Sequence, residues 1–299
     1  MPDIDLFLNP NNEKDLNAVI ETKKAIAKDY FRNTDMITLY PNLFKILSSA
    51  YLPCSSGNGK HRSLIKECKI GKKKIDCSKI FQKVPTDSGM CCAMNMKSAL
   101  RDSEFSELVK DMQKEDGAEK MERIKLKPGK RNGLRLTVDL HSSTVSHGSV
   151  YDDYQAFKVF VGQAHEVPTI EDYGLTIEPG HEHFLAISNT ILTASKEVKR
   201  IKPKDRKCYF PDESNLDFFH HYTFSNCLLE CLIKTGQDQL GCTPWYLPRL
   251  PNSTVCDPWT ARNFTHKQTK VDKDTQCSHC LPDCQRNSFL VTTSAVKFG

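Results

Sequence analysis

Hydrophobic side chains recur along this chain with two different periods. In "NEKDLNAVIETKKAIAKDYF", Leu16, Val19, Ile20, Ile26 and Tyr30 fall near one face of a helix, with Asn12 placed as its N-cap. A second helical stretch is predicted from about Met36 to Tyr51. A third follows where Phe105, Leu108, Val109 and Met112 recur at i, i+3, i+4 and i+7. Its continuation, "KEDGAEKMERIK", is charged and expected to face solvent. From Asn132 the period shortens to two. Leu134, Leu136, Val138 and Leu140 alternate with Arg135, Thr137, Asp139 and His141, the pattern of a half-buried strand. "AFKVFVG", "GLTIEPG" and "HFLAISNTIL" continue in that style between Gly and Pro turns, predicting an antiparallel sheet over residues 132 to 200. The helical period returns in "FSNCLLECLIKTG", with Phe224, Cys227, Leu228, Cys231 and Leu232 as a stripe and Gly236 as the expected stop. "DPW" at 257 to 259 reads as a helix start with Asp257 as cap and Pro258 in the first turn. "SFLVTTSAVKF" is strand-like and carries the chain back toward the sheet. Strands that follow helices, instead of alternating with them, predict an α+β fold.

Cysteine usage changes the picture most. Eight of the thirteen cysteines crowd into residues 208 to 284, a density associated with oxidised extracellular scaffolds. Two glycosylation sequons, at Asn252 and Asn263, fall in the same segment. "CSHCLPDC", residues 277 to 284, admits two chemistries. Zinc held by Cys277, Cys280 and Cys284 requires a fourth ligand, which His279 or the Cys227/Cys231 pair supplies, and it leaves Cys208, Cys242 and Cys256 unexplained. A disulfide reading uses all eight. Cys227 and Cys231, one helical turn apart, meet Cys280 and Cys277 in antiparallel order, Cys208 reaches Cys284 outside them, and Cys242 closes on Cys256. Adjacent Cys91 and Cys92 suit separate disulfides better than one metal, because neighbouring side chains diverge.

The remaining composition mainly excludes. The net charge of +5 is spread out, and its densest patch, Lys72 to Lys74 with Lys69, has no interleaved aromatics, so nucleic acid is not an expected partner. Nothing resembles a nucleophile–base–orienter set or a phosphate loop, so neither an enzyme nor a cofactor is expected. No run of 18 apolar residues occurs, and the N-terminus is not patterned as a secretory leader. A disulfide-rich chain without an export segment is expected to be a portion of a longer protein.

"SNLDFFHHYTFSNCLLEC", "GCTPWYLP" and "CSHCLPDC", in that order, resemble the thumb of the degenerin/epithelial sodium channel family. "DCSKIFQKVPTDSGMCCAMN" at 76 to 95, "RNGLRLTVDL" at 131 to 140 and "GLTIEPG" at 174 to 180 resemble other parts of the same ectodomain. The Cys-Cys pair after "TDSGM" is similar to the arthropod pickpocket branch. The resemblance covers about residue 50 to 299. It implies finger and knuckle over 1 to 130, palm and β-ball over 131 to 208, a disulfide-rich thumb over 209 to 284, and a strand returning to the palm over 285 to 299. It also implies a homo- or hetero-trimer with other channel subunits, at the extracellular face of the plasma membrane, around a sodium-selective pore.

The two transmembrane helices that flank the family's ectodomain, one carrying the selectivity filter, are not in this sequence. The early palm strand with its cysteine is absent too, which accounts for the odd count. Cys68 is expected to pair with Cys77 and Cys54 with Cys92, leaving Cys91, with the exchange of Cys91 and Cys92 also open. One further thumb disulfide of the family lacks both its cysteines here. Asp212, Glu213, Asp217, His220 and His221 form a candidate proton-responsive cluster, as in the acid-sensing relatives, against the alternative of a solvated loop. His181 and His183 share a strand face and stand as a zinc candidate against an idle exposed pair; no metal is expected. The expected function is an extracellular portion of a gated sodium channel subunit. The alternatives are a secreted cystine-rich binding module, a dominant-negative fragment without a pore, or an intracellular zinc protein.

Overall fold

The computed structural model describes residues 44–45, 51–55, 63–97, 99–115, 124–139, 156–250, 253–257, 260–261, 264 and 277–298. The expected helix from Asn12, the sequons at Asn252 and Asn263, most of the charged continuation of the third helix, and most of the stretch from Met36 lie outside these residues. The described chain mixes helices with short sheets, and no helix in it is long and apolar enough to cross a membrane.

Strand β1 (Ile65–Ile70) turns back on β2 (Lys73–Ile75) and pairs on its other side with β5 (Leu134–Val138), both antiparallel. β3 (Gln82–Thr86) and β4 (Gly89–Ala93) form a hairpin, in which the Thr86 hydroxyl donates to the Gly89 carbonyl at 2.8 Å. Further along, β6 (Phe157–Val159) pairs with β7 (Leu175–Ile177), and β8 (His181–Leu192) forms a twelve-pair antiparallel ladder with β11 (Arg286–Lys297). The expected single sheet over 132 to 200 is therefore divided among three sheets. Period-2 patterning marks a strand but not its partner, and β5 finds its partner more than 60 residues upstream. Leu136 and Val138 stay 38% and 41% exposed, so the alternation in β5 does not bury its apolar face as expected.

Helix α1 (Glu104–Glu115) starts on a reciprocal cap: the Ser103 hydroxyl accepts from the Ser106 N–H (3.2 Å) and the Ser106 hydroxyl from the Ser103 N–H (3.0 Å). Its stripe of Phe105, Val109 and Met112 is buried with Phe44 and Val255, and Phe44 meets both Phe105 and Trp245 edge-on at 6.1 Å. Two short helices, α2 (Ile170–Tyr173) and α3 (Pro203–Arg206), precede the long helix α4 (Phe224–Leu240). The Thr223 hydroxyl caps α4 by accepting from the Asn226 N–H at 3.1 Å.

α4 does not stop at Gly236. It runs on to Leu240 and ends on Gly241, whose φ of 72° is the left-handed conformation of a helix C-cap and whose N–H returns to the Gln237 carbonyl at 2.8 Å. Gly236 serves packing: a Cβ there would run into the Phe264 ring. The main core surrounds α4, with Phe218, Phe219, Tyr222, Ile233, Leu247 and Phe264 buried against its cysteines. The short parallel pair β9 (Cys242–Thr243) and β10 (Thr254–Val255) follows the helix, and Asp257 caps the next helical turn through the Thr260 N–H at 3.0 Å.

Candidate functional site

The chemistry of this chain concentrates on how α4 is mounted. Cys227 and Cys231 lie one turn apart on its buried face and are joined to Cys280 and Cys277, with Cα separations of 5.7 and 6.0 Å. Cys208 is joined to Cys284 outside them, and Cys242 to Cys256 beyond the helix C-terminus. Two bonds to one helix remove both sliding and rotation of that helix against the strap, and Cys284 lies just ahead of β11. In the N-terminal half Cys54 is joined to Cys92 and Cys68 to Cys77, while Cys91 is a free thiol. The Cys91 sulfur lies 3.3 Å from the Thr86 hydroxyl, and burial pushes its pKa up.

The N-terminus of α4 gathers three chain segments. The Phe224 N–H donates to Asp283 at 3.0 Å. Glu166, from the loop after β6, bonds the side chains of Ser225 and Thr223 and accepts from Gln163 Nε2 at 3.0 Å. The Tyr222 hydroxyl donates to the Leu281 carbonyl at 2.6 Å. Tyr209 donates its N–H to Pro282 and accepts from the Cys284 N–H, both at 2.9 Å. Asn226, fully buried, donates to the His165 carbonyl at 2.9 Å, and the His165 and His221 rings meet edge-on at 5.0 Å.

These contacts set the electrostatics. Burial pushes the Asp283 carboxyl up to about 6, helped by the negative Glu166 and opposed by the Phe224 N–H and Arg286. Burial also raises Glu166 above the ordinary carboxylate range, against its hydrogen bonds to Ser225 and Thr223. Two weakly acidic carboxylates thus grip one helix start from opposite segments. Neither was singled out in the sequence. A capping acid 59 residues from its helix leaves no local signal.

The five residues of the candidate proton-responsive cluster are distributed over several partners. Asp212 is bonded to Lys199 at 2.7 Å, which lowers its pKa, and Asp217 is bonded to Lys234 at 2.6 Å. Glu213 pairs with Arg206 and accepts from the Phe210 N–H at 2.8 Å. His221 sits against His165, and His220 is exposed. Lys234 also reaches the buried Glu230 at 2.9 Å, whose other oxygen accepts from the Phe218 N–H. His181 and His183 have ring centroids 6.0 Å apart, each with a ring nitrogen on a backbone carbonyl, that of Pro179 or Glu178.

Cys227, His279 and Cys280 place ligand atoms within 4.8 Å of one another. Both sulfurs are spent in one disulfide, however, so no thiolate is offered there. Among the described residues the lysine patch is partly neutralised by Glu67, which Lys74 reaches at 3.2 Å and Lys69 at 2.5 Å.

Comparison with known proteins gives this architecture a context. Residues 4–299 match the family described as the amiloride-sensitive sodium channel. Pickpocket protein 28 of Drosophila melanogaster is 29% identical over 252 residues, covering 76% of this chain and 41% of that protein. The sodium channel protein Nach of the same species is 24% identical, with 76% and 43% covered, and pickpocket protein 11 is 23% identical, with 75% and 38% covered. The chain thus spans less than half the length of these relatives. That family consists of channels, not enzymes. A disulfide-laced mixed helix and sheet chain matched from residue 4 to its last residue belongs to the amiloride-sensitive sodium channel family.

Proposed function

We propose that this chain is the extracellular portion of a stimulus-gated sodium channel subunit. The observation that carries the reading is the family match over residues 4–299, a span in which no described helix suits a membrane. In this reading 1 to 130 are finger and knuckle, 131 to 208 palm and β-ball, 209 to 284 the thumb, and 285 to 299 the return to the palm. Subunits assemble as trimers at the plasma membrane, and sodium passes through a pore built by segments not contained in these 299 residues. Asn252 and Asn263 carry glycans. The stapled helix α4 passes ectodomain events through Cys284 to β11, which leads toward the pore. Two disulfides one turn apart support that role, because a helix held in this way moves only together with its strap.

The test begins with the message upstream of Met1 and downstream of Gly299. Apolar stretches of about 20 residues on both sides, and an amiloride-blocked sodium current when the extended protein is expressed in oocytes, are the expected results. Stop codons close to both ends would overturn the channel reading in favour of a secreted cystine-rich module.

A further inference from the structure

A cavity of about 160 Å³ lies between the β3–β4 hairpin, helix α1 and the Tyr246–Pro248 segment that follows β9. Val84 of β3, Phe105 and Val109 of α1, Val167 and Tyr246 make most of its wall apolar. Two cations, Lys97 and Lys110, line it, and no carboxylate does. Lys110 is already engaged by Asp102 at 3.0 Å. Lys97 is anchored through its backbone, whose N–H donates to the Ala164 carbonyl at 2.8 Å. Among the described residues its ammonium has no hydrogen bond or ion pair.

From this geometry we infer that the cavity is a binding site for a small monocarboxylate with a compact apolar body, its carboxylate on Lys97 and its body between α1 and β3. Two physical points support the assignment. The volume matches a benzene-sized body, since an apolar cavity of about 150 Å³ takes up benzene, and it is too small for a drug-sized molecule. The charge pattern selects the polar end: a half-buried lysine whose ammonium has no partner among the described residues favours an anion, and a charge-assisted hydrogen bond is stronger than a neutral one. Gln113, also in the wall, donates to the Lys83 carbonyl at 3.1 Å and so joins α1 to β3. The occupant touches three separate segments at once, so it ties α1 and the hairpin to the loop that leaves α4. The inference stands on the cavity and does not rest on the channel reading.

The test uses the oxidised 299-residue chain and two probes, benzoate and its neutral counterpart benzyl alcohol, followed by ligand-observed NMR titration. Benzoate is expected to bind saturably with a Kd of about 0.1–1 mM. Lys97→Gln should weaken benzoate about tenfold and leave benzyl alcohol unchanged, whereas Lys110→Gln should change benzoate binding less than threefold. Val109→Phe fills the cavity and should abolish both probes, with native disulfides and circular dichroism retained. Lys97→Gln keeps a side chain of similar length and opens no void, so this variant reads binding even where Val109→Phe does not fold. Absence of saturable benzoate binding, or equal benzoate affinity in wild type and Lys97→Gln, would overturn the proposal.

Discussion

No methyl group fits at Gly236, because the edge of the Phe264 ring occupies the space a Cβ would fill. Gly236 lies inside α4, where alanine is the better helix former by about 1 kcal/mol. Packing and propensity therefore oppose each other, and overpacking a full core costs about 1–3 kcal/mol. Gly236→Ala should destabilise the chain by up to about 2 kcal/mol net in urea unfolding. Adding Phe264→Ala should restore the alanine's ordinary benefit relative to Phe264→Ala alone. Additive effects of the two substitutions would show that the ring does not limit this site.

The ladder makes a graded prediction. In the chain-entropy view the Cys208–Cys284 closure, 76 residues apart, is worth about 4 kcal/mol, and the Cys242–Cys256 closure, 14 residues apart, about 3 kcal/mol. The Cys227–Cys280 closure spans 53 residues, so Cys227→Ser should cost at least as much as Cys242→Ser. In the extended subunit Cys227→Ser or Cys280→Ser is expected to reduce delivery to the cell surface, measured by surface biotinylation. Normal delivery and normal unfolding of both variants would remove the mechanical role assigned to these bonds.

Asp283 gives the chain a pH dependence of definite sign. Its folded pKa, pushed up to about 6, lies above the ordinary value of about 4 for an unfolded aspartate. Between these values the folded chain holds the proton and the unfolded chain has released it. This group's contribution therefore favours folding at low pH and is lost as pH rises through 6. Asp283→Asn keeps an acceptor for the Phe224 N–H and removes the buried charge. It should stabilise the chain by about 1 kcal/mol at pH 7 after allowance for solvent screening, and flatten the stability profile between about pH 4 and 6. An unchanged difference between variant and wild type across that range would exclude Asp283 as the titrating group.

Cys91 should be a quiet thiol. Its raised pKa leaves little thiolate at neutral pH, and the thiolate is the reactive form. Iodoacetamide at pH 8 is expected to label the folded chain slowly, and a single cysteine quickly once urea unfolds it. Rapid labelling of the native chain would contradict the burial of the Cys91 thiol, and labelling of Cys92 in its place would contradict the Cys54–Cys92 bond.

Local patterns were legible wherever the cause is local. The stripe of Cys227, Leu228, Cys231 and Leu232 marked α4 because a buried helix face repeats every turn, and Phe105, Val109 and Met112 marked α1 in the same way. The helix end was misplaced at Gly236 because the reason for that glycine lies 28 residues away, in Phe264. The partner of β5 was illegible for a related reason: Leu134, Leu136 and Val138 declare a strand, but pairing with Ile65–Ile70 is settled by long-range register. The mount of α4 shows the limit most clearly, because nothing in "HEVPT" or "LPDC" announces that Glu166 and Asp283 will meet at one helix start.

The outermost covalent closure has a consequence for tension. Because Cys208 and Cys284 are bonded, a pull on the two ends of the chain never draws out the 76-residue span between them, a contour of roughly 250 Å. The load leaves the backbone at Cys208, crosses the sulfur bridge and re-enters at Cys284, two residues before β11 begins. Helix α4 and everything enclosed with it hang beside this end-to-end path, so force reaches α4 only through the segments packed against it. Stretching cannot lengthen this region. Pulled from its ends, the chain leaves the enclosed span to be pushed from the side, through its contacts with Glu166 and His165.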